Sequence, residues 1–425
     1  MGSVSRGWRV VAAYALVAAA TQVLWLTYAP IDTASARHYG VSKEAIGWLA
    51  EIFPLLYVVL ALPAGRLLDW RFRPVLAAGG GLVAAGGLLR LGGPTFAWAL
   101  AGQTAVAVAQ PVVLNAVGKL AADYLPERQR PTGIAAGAGA GFAGMLVALL
   151  LGPTLGGDGH IERLLIVEAA IALTSALALG LALRAPAPGE LGELSGEEPV
   201  LPPGSPVPLG PGKSSGKVPL PSGGAAMSAG VEPGAVRELW ALPAMRTMAC
   251  LVFVGFGVFI ALTTWLQTLL EPAGVSEQGA GALLAAMLVT GMVGCALLPP
   301  WLARRGAEPA FMRGAVLTAA AGPLLLGLLT ATPVRAVVIV AMGFVLLPAL
   351  PVVLTAAERL AGVAAAGTAG AIVWLAGNLG GLVVALVVQA LVHHPLPAFL
   401  AMAAIALPAL PLAGRFPASP RSLDV

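Results

Sequence analysis

Apolar residues run almost without a break through two long blocks of the chain, and one polar stretch from about Ala185 to Val236, rich in Pro, Gly and Ser, separates them. Short polar interruptions cut each block into runs of roughly 20 residues, the length a helix needs to cross about 30 Å of hydrocarbon at 1.5 Å per residue. Twelve such runs can be drawn. Before the polar stretch they lie at about 8–33, 44–66, 74–93, 96–118, 131–152 and 162–183. After it they lie at about 243–269, 279–301, 310–330, 333–356, 366–391 and 396–414. The runs do not alternate and are dominated by Ala, Leu and Gly, so barrel strands are disfavoured and an all-α membrane protein of twelve transmembrane helices is expected. Val10 to Ala20 has the character of a secretion-signal core, but apolar sequence continues past it with no small-residue cleavage site before Asp32. A retained first helix is therefore expected.

This layout divides the chain into an N-terminal six-helix half (1–184), a flexible cytoplasmic linker (185–236) and a C-terminal six-helix half with a short tail (237–425). The linker's Pro, Gly and Ser content cannot bury a core. Composition agrees with a membrane protein: 58% of residues are hydrophobic and only 10% charged, against about a quarter charged in soluble domains. The net charge of +4 is a matter of orientation rather than of nucleic-acid binding. With both termini cytoplasmic, only Arg37, Lys43, Arg90, Arg163 and Arg335 of the 24 Lys and Arg fall outside, a strong positive-inside bias, although Lys213 and Lys217 sit in a longer loop and count for less. The inner membrane of a cell is the expected location. Cys250 and Cys295 each lie within an expected helix and support neither a disulfide framework nor a metal cluster. GPGKSSGK in the linker resembles a phosphate-binding loop, but Val207 stands where that motif requires Gly. With no ATPase domain elsewhere, energy must come from substrate or ion gradients, and no cofactor is expected.

Glycine is dense in the fifth helix, at Gly133, Gly137, Gly139, Gly141 and Gly144, and in the eleventh, at Gly367, Gly370, Gly377, Gly380 and Gly381. Small residues at this spacing let backbones approach closely, which reads either as tight packing or as the sliding surfaces of an alternating-access machine. Between the second and third helices lies Gly65-Arg-Leu-Leu-Asp69-Trp-Arg71-Phe-Arg73-Pro. This resembles the cytoplasmic loop signature of the major facilitator superfamily. The resemblance implies that Asp69 faces the start of the eleventh helix and, with Gly65 and Arg73, forms a gate that latches the cytoplasmic side. Trp70 and Phe72 depart from the pattern, where Arg and Gly are usual, and predict a weaker latch. The equivalent loop of the second half, Pro300-Trp-Leu-Ala-Arg304-Arg305-Gly306, keeps the basic charge but lacks the Asp.

Four further segments carry a closer resemblance. They are Gln22-Val-Leu-Trp25-Leu-Thr-Tyr28-Ala-Pro30 with Tyr39-Gly-Val-Ser42; Gly102-Gln103 with Gln110-Pro111, Leu114-Asn115, Lys119 and Tyr124-Leu-Pro126; Gly291 with Gly294; and Leu350-Pro351 with Glu358 and Gly367-Thr368. Together they resemble the FLVCR (feline leukaemia virus subgroup C receptor-related) branch of the superfamily, in its bacterial form. Eukaryotic members of that branch are associated with choline and ethanolamine transport and with haem. The resemblance implies a central pocket with Trp25 facing the substrate, Gln110 across from it, and Asn378 where the family has Gln. A tyrosine of the seventh helix is replaced near Ile260, and losing that aromatic wall counts against choline itself.

The same residues have a physical case. A quaternary ammonium cannot donate hydrogen bonds and is best held by aromatic faces, each worth up to about 2 kcal/mol when desolvated. Trp25 and Tyr28 are deep enough to serve, unlike Trp8 and Trp70, which suit the interfacial belt; packing against a neighbouring helix is the alternative. Gln110 and Asn115, with Gln103, must find partners within the membrane, so they read as cavity wall or as interhelical glue, the wall being preferred for Gln110. Glu51, Asp32 and Glu168 are candidate coupling sites for protons, because an embedded carboxylate is costly, or else acids that snorkel to the boundary; Glu51 is expected to be the deepest and is the preferred one. His393-His394 lacks the further ligands a metal site needs. Gly152-Pro-Thr-Leu-Gly156-Gly157 matches the end of a drug/proton antiporter signature, but at a helix end where such a string is also ordinary loop.

The expectation is a monomeric secondary-active or facilitative transporter, not an enzyme, with a cavity lined by the first, fourth, seventh and tenth helices. Its partners are a small-molecule substrate, such as a choline-like or other cationic amine, and the lipid bilayer. Arg90 and Arg335 near helix ends offer no deep cationic pocket for an anion. The alternatives are a proton-coupled transporter or antiporter of another amphipathic metabolite (organic anion, haem or drug-like), and a transport-dead receptor on the same fold.

Overall fold

A computed structural model of the chain describes residues 2–156, 160–184 and 234–417, and they are almost entirely helical, with no strand among them. The long helices are α1 (Gly2–Trp25), α2 (Lys43–Trp70), α3 (Phe72–Leu89), α4 (Phe96–Tyr124), α5 (Arg130–Leu151) and α6 (Ile161–Ala182) in the first half. The second half holds α7 (Pro243–Leu270), α8 (Glu277–Arg305) and α9 (Glu308–Leu328), then one continuous assignment over Thr332–Ala390, then α12 (Pro395–Ala406). The long assignment is two helices, α10 (332–361) and α11 (366–390), because Gly362 at φ 70° and Ala365 at φ −117° leave helical geometry between them. Eleven helical segments are long and apolar enough to cross a bilayer, and the break at Gly362 resolves one of them into two.

Local sequence sets the ends. The Ser42 hydroxyl accepts from the Ala45 N–H at 3.3 Å and the Ser276 hydroxyl from the Gly279 N–H at 3.1 Å, capping α2 and α8. Gly306 closes α8 at φ 62°, a conformation glycine adopts without steric cost. The first expected run, 8–33, is not one helix. It ends at Trp25, and Pro30, which lacks an N–H and disfavours helical backbone before it, starts a short 3₁₀ turn at Ala29–Ile31 and a separate helix at Asp32–Tyr39. Of the expected linker, residues 185–233 lie outside the described residues. Residues 235 and 236 begin a short helix, Ala235–Ala241.

Within the first half α1 packs on α5 and α6, and α4 on α2 and α3; within the second, α7 packs along α11 and α8 along α10. The halves meet where α2 crosses α11 and where α5 runs beside α8. Large apolar side chains such as Leu55, Leu177, Leu181 and Val337 remain well exposed on the outer surface. Such a surface is stable only against hydrocarbon, and the chain is an integral membrane protein.

Candidate binding cavity

Between the halves a cavity encloses about 610 Å³ of empty space, part of it open to solvent. Tyr14, Gln22 and Trp25 of α1, Gln110 of α4, Phe142 and Met145 of α5, Phe256 and Ile260 of α7, and Trp374 and Asn378 of α11 line it, with Pro54 of α2. No carboxylate, amine, guanidinium or imidazole is among the lining groups. α10 contributes nothing to this wall, whereas α5 and α11 do, which corrects the expectation of helices 1, 4, 7 and 10. A Cβ at Gly137 would lie 2.7 Å from the Tyr14 ring and 2.7 Å from Val117, so bare backbone there makes room for the Tyr14 ring beside the cavity.

Two of the aromatic rings are held by their polar ends, whereas the buried Trp374 indole N–H has no hydrogen-bond partner. The Tyr14 hydroxyl donates to the Val113 carbonyl at 3.0 Å, and the Trp25 indole N–H donates to the Ala50 carbonyl at 3.0 Å. Trp25 also packs on Phe53 with ring centroids 6.1 Å apart. Phe256 meets Trp374 edge to face at 5.8 Å, Trp374 meets Tyr57 at 6.4 Å, and Phe142 joins through Phe259 at 5.9 Å. Phe256 lies one turn before Ile260 and supplies α7 with an aromatic ring, where the resemblance implied that one is lost. Asn378 donates to the Trp374 carbonyl at 2.9 Å, one turn back on its own helix, and leaves its oxygen available on this side.

Three expected binding residues thus line the cavity, and two do not. Tyr28 is buried in a second apolar cluster with Ile31, Tyr39 and Leu49, its hydroxyl 3.3 Å from that of Tyr39, because the chain turns after Trp25. Asn115 accepts from the Tyr57 hydroxyl at 2.7 Å and donates to the Ala61 carbonyl at 2.9 Å, which spends it on joining α4 to α2. Gln103 does similar work toward the Leu49 carbonyl at 3.2 Å. The signal that could have found Phe142, Phe256 and Trp374 is their apolar surroundings of small residues; nothing in spacing alone separates them from core aromatics.

The three carboxylates separate sharply. Asp32 is exposed and accepts from the backbone N–H and hydroxyl of Thr33. Glu51 is exposed on the α2 face that carries Trp48 and Leu55. Glu168 is fully buried, with an oxygen 3.2 Å from Arg90 and accepting from the Thr27 hydroxyl at 2.7 Å. Arg90 also donates to that hydroxyl at 2.8 Å, so the segments just beyond α1 and α3 are tied to α6 by one ionic cluster away from the cavity. Arg90 is therefore buried at the end of α3 and its charge is paired, so it offers no cationic pocket to the cavity.

At one end of the bundle the halves are fastened together. Asp69 accepts from the backbone N–H groups of Gly367 and Thr368, each at 2.7 Å, and from the Thr368 hydroxyl at 2.6 Å. These donors open α11, where unpaired N–H groups and the helix dipole favour an anion. Gly65 allows the approach: its missing Cβ would lie 2.7 Å from that of Ala371. Arg73 donates to the Tyr124 hydroxyl at 3.0 Å. Arg130 pairs with Glu358 at 3.0 Å across the halves, and Lys119 donates to the Val363 carbonyl at 3.0 Å. Trp70 is turned outward under Arg71, and Phe72 is buried, so neither departure from the loop pattern lies between Asp69 and α11.

Comparison with known proteins follows the same lines. The profile of the Major Facilitator Superfamily matches residues 10–385. Solute carrier family 49 member A3 of Danio rerio is 28% identical over 311 residues, covering 70% of this chain and 59% of the relative. The choline/ethanolamine transporter FLVCR2 of Homo sapiens is 27% identical over 154 residues, covering 35% of this chain and 29% of the relative. The chain thus spans well under two thirds of the length of these curated relatives. Among solved structures, the human organic anion transporter MFSD10 superposes with a TM-score of 0.71 at 18% identity, covering 96% of this chain and 99% of that one.

Proposed function

The chain belongs to the Major Facilitator Superfamily, and from that premise we propose that it carries a small cationic amine across the membrane by alternating access. The observation that supports this most is the composition of the cavity: five aromatic rings and three amides, with no charged side chain. A quaternary or primary ammonium with a short polar arm matches it. Ring faces stabilise the cation by about 0.5 to 2 kcal/mol each, and Gln22, Gln110 and Asn378 can orient a hydroxyl. An organic anion would meet no positive group there, and haem would need a ligand for its iron. The relatives named for choline and ethanolamine transport point the same way. The distribution of Lys and Arg supports a reading with both termini in the cytoplasm and the Asp69 end inward, and the proposed working unit is one chain in a cytoplasmic membrane.

The test is a thermal-unfolding screen of the purified chain against choline, ethanolamine, other amines, haem and common organic anions. A ligand at a hundred times its dissociation constant raises stability by about 2.7 kcal/mol. Stabilisation by an amine that disappears in Trp25→Ala is the expected result. Stabilisation by anions, or by amines equally in both proteins, overturns the assignment.

A second reading, proton-coupled transport, is favoured by Glu168, a carboxylate buried within the membrane span. It ranks below because Glu168 is joined to Arg90 and is remote from the cavity. It predicts uptake by proteoliposomes that responds to an imposed pH gradient and loses that response in Glu168→Gln.

A further inference from the structure

On the lipid-facing side, at the seam between the halves, a second and larger concavity holds about 1250 Å³ of empty space including its open side. Its floor comes from α7 (Cys250, Phe253) and α11 (Leu375, Leu379), one wall from the end of the chain beyond α12, and the other from the short helix Ala235–Ala241, with Leu62 of α2 reaching in from the first half. The lining is hydrocarbon apart from the Cys250 thiol and the Trp240 indole N–H. In a bilayer such a groove is filled, because lining atoms without partners lose their dispersion contacts.

Charge at one end indicates what fills it. Arg246 lies one turn before Ala249 and Cys250 on α7 and Arg237 one turn before Trp240 on the short helix, so both are on the helix side that bears a groove residue, and Arg415 follows Leu412 by three residues in the turn just past the helix end at Ala413. All three are exposed. Glu238, the acid of the short helix, is turned back toward Gly234 in the helix's own first turn. Trp240 is half exposed at the same end, the place where an amphipathic ring meets lipid headgroups.

We propose that this groove binds one anionic phospholipid, its acyl chain lying on α7 and α11 and its phosphate held by Arg237, Arg246 and Arg415. The site is independent of the central cavity. Because its chain touches Leu62 as well as α11, the lipid spans both halves, and its occupancy is sensitive to their relative position.

Native mass spectrometry of the full, detergent-purified chain, titrated with phosphatidylglycerol or phosphatidylcholine, tests this. The expected result is one tightly retained phosphatidylglycerol per chain and much weaker retention of phosphatidylcholine. Arg246→Gln and Arg415→Gln should each lower the affinity about fivefold, the worth of roughly one basic residue at an anionic lipid surface. Cys250→Trp, which fills the groove from an exposed position, should remove the tight binding step while leaving the unfolding midpoint near that of the parent. Equal retention of the two lipids overturns the proposal, as does a tight step that survives both the double arginine variant and Cys250→Trp. A lipid-excluding dimer also overturns it and assigns the groove to a second copy.

Discussion

Asn115 and Gln110 are polar amides on the same helix, five residues apart, and the structure gives them different work. Asn115 has both ends of its amide bonded within the protein, so Asn115→Ala leaves the buried Tyr57 hydroxyl without its acceptor and removes the second bond to the Ala61 carbonyl. A loss of about 1–3 kcal/mol in stability is expected, with ligand affinity unchanged, as thermal unfolding beside a ligand titration would show. Gln110 lines the cavity, and Gln110→Ala should do the reverse. Phe256→Ala should weaken binding of a quaternary amine about tenfold, and Phe256→Tyr should retain it, since a desolvated ring face is worth up to about 2 kcal/mol. Equal loss in both variants, measured by calorimetry, would mean that shape rather than the ring face matters. For the buried pair, Glu168→Gln leaves Arg90 without its counter-charge and should cost about 3–5 kcal/mol, while Arg90→Met with Glu168→Met together should recover most of it. A double variant as unstable as the single one would show that the cluster does more than cancel charge.

Helices carry the next layer of cause. α5 and α11 are rich in glycine for different local reasons: at Gly137 bare backbone makes space for Tyr14, and at Gly380 it lets α11 press against the Phe253 carbonyl of α7. The latch between α2 and α11 is likewise a property of two elements, because the Asp69 oxygens are held by the first N–H groups of a helix. Asp69→Ala removes all three hydrogen bonds. It should increase the fraction of molecules open at that end, read as a longer distance between spin labels at Arg66→Cys and Ala364→Cys by pulsed electron resonance. An unchanged distance distribution would mean that Arg130 and Glu358 hold the end closed without Asp69.

At the scale of the whole molecule, the two halves either rock about the cavity or hold still around it. A ligand shifts such an equilibrium only by its difference in affinity for the two states. A transported amine should therefore change the same label distances as it saturates the cavity; binding with no change in distance would favour a transport-dead receptor. The sequence by itself determined the all-helical membrane fold, the twelve runs and the loop that bears Asp69, because hydrocarbon demands long apolar helices and each helix satisfies its own backbone locally. It also singled out Trp25, Gln110 and Asn378. Only the tertiary structure decided that Tyr28 turns away after Trp25, that Asn115 is spent on α2, that Glu168 meets Arg90, and that Phe142, Phe256 and Trp374 complete an aromatic wall. The physical reason is that helices buried on nearly every side show little periodic contrast between faces. Which face looks into the cavity is then fixed by how the helices pack, and not by any pattern along one of them.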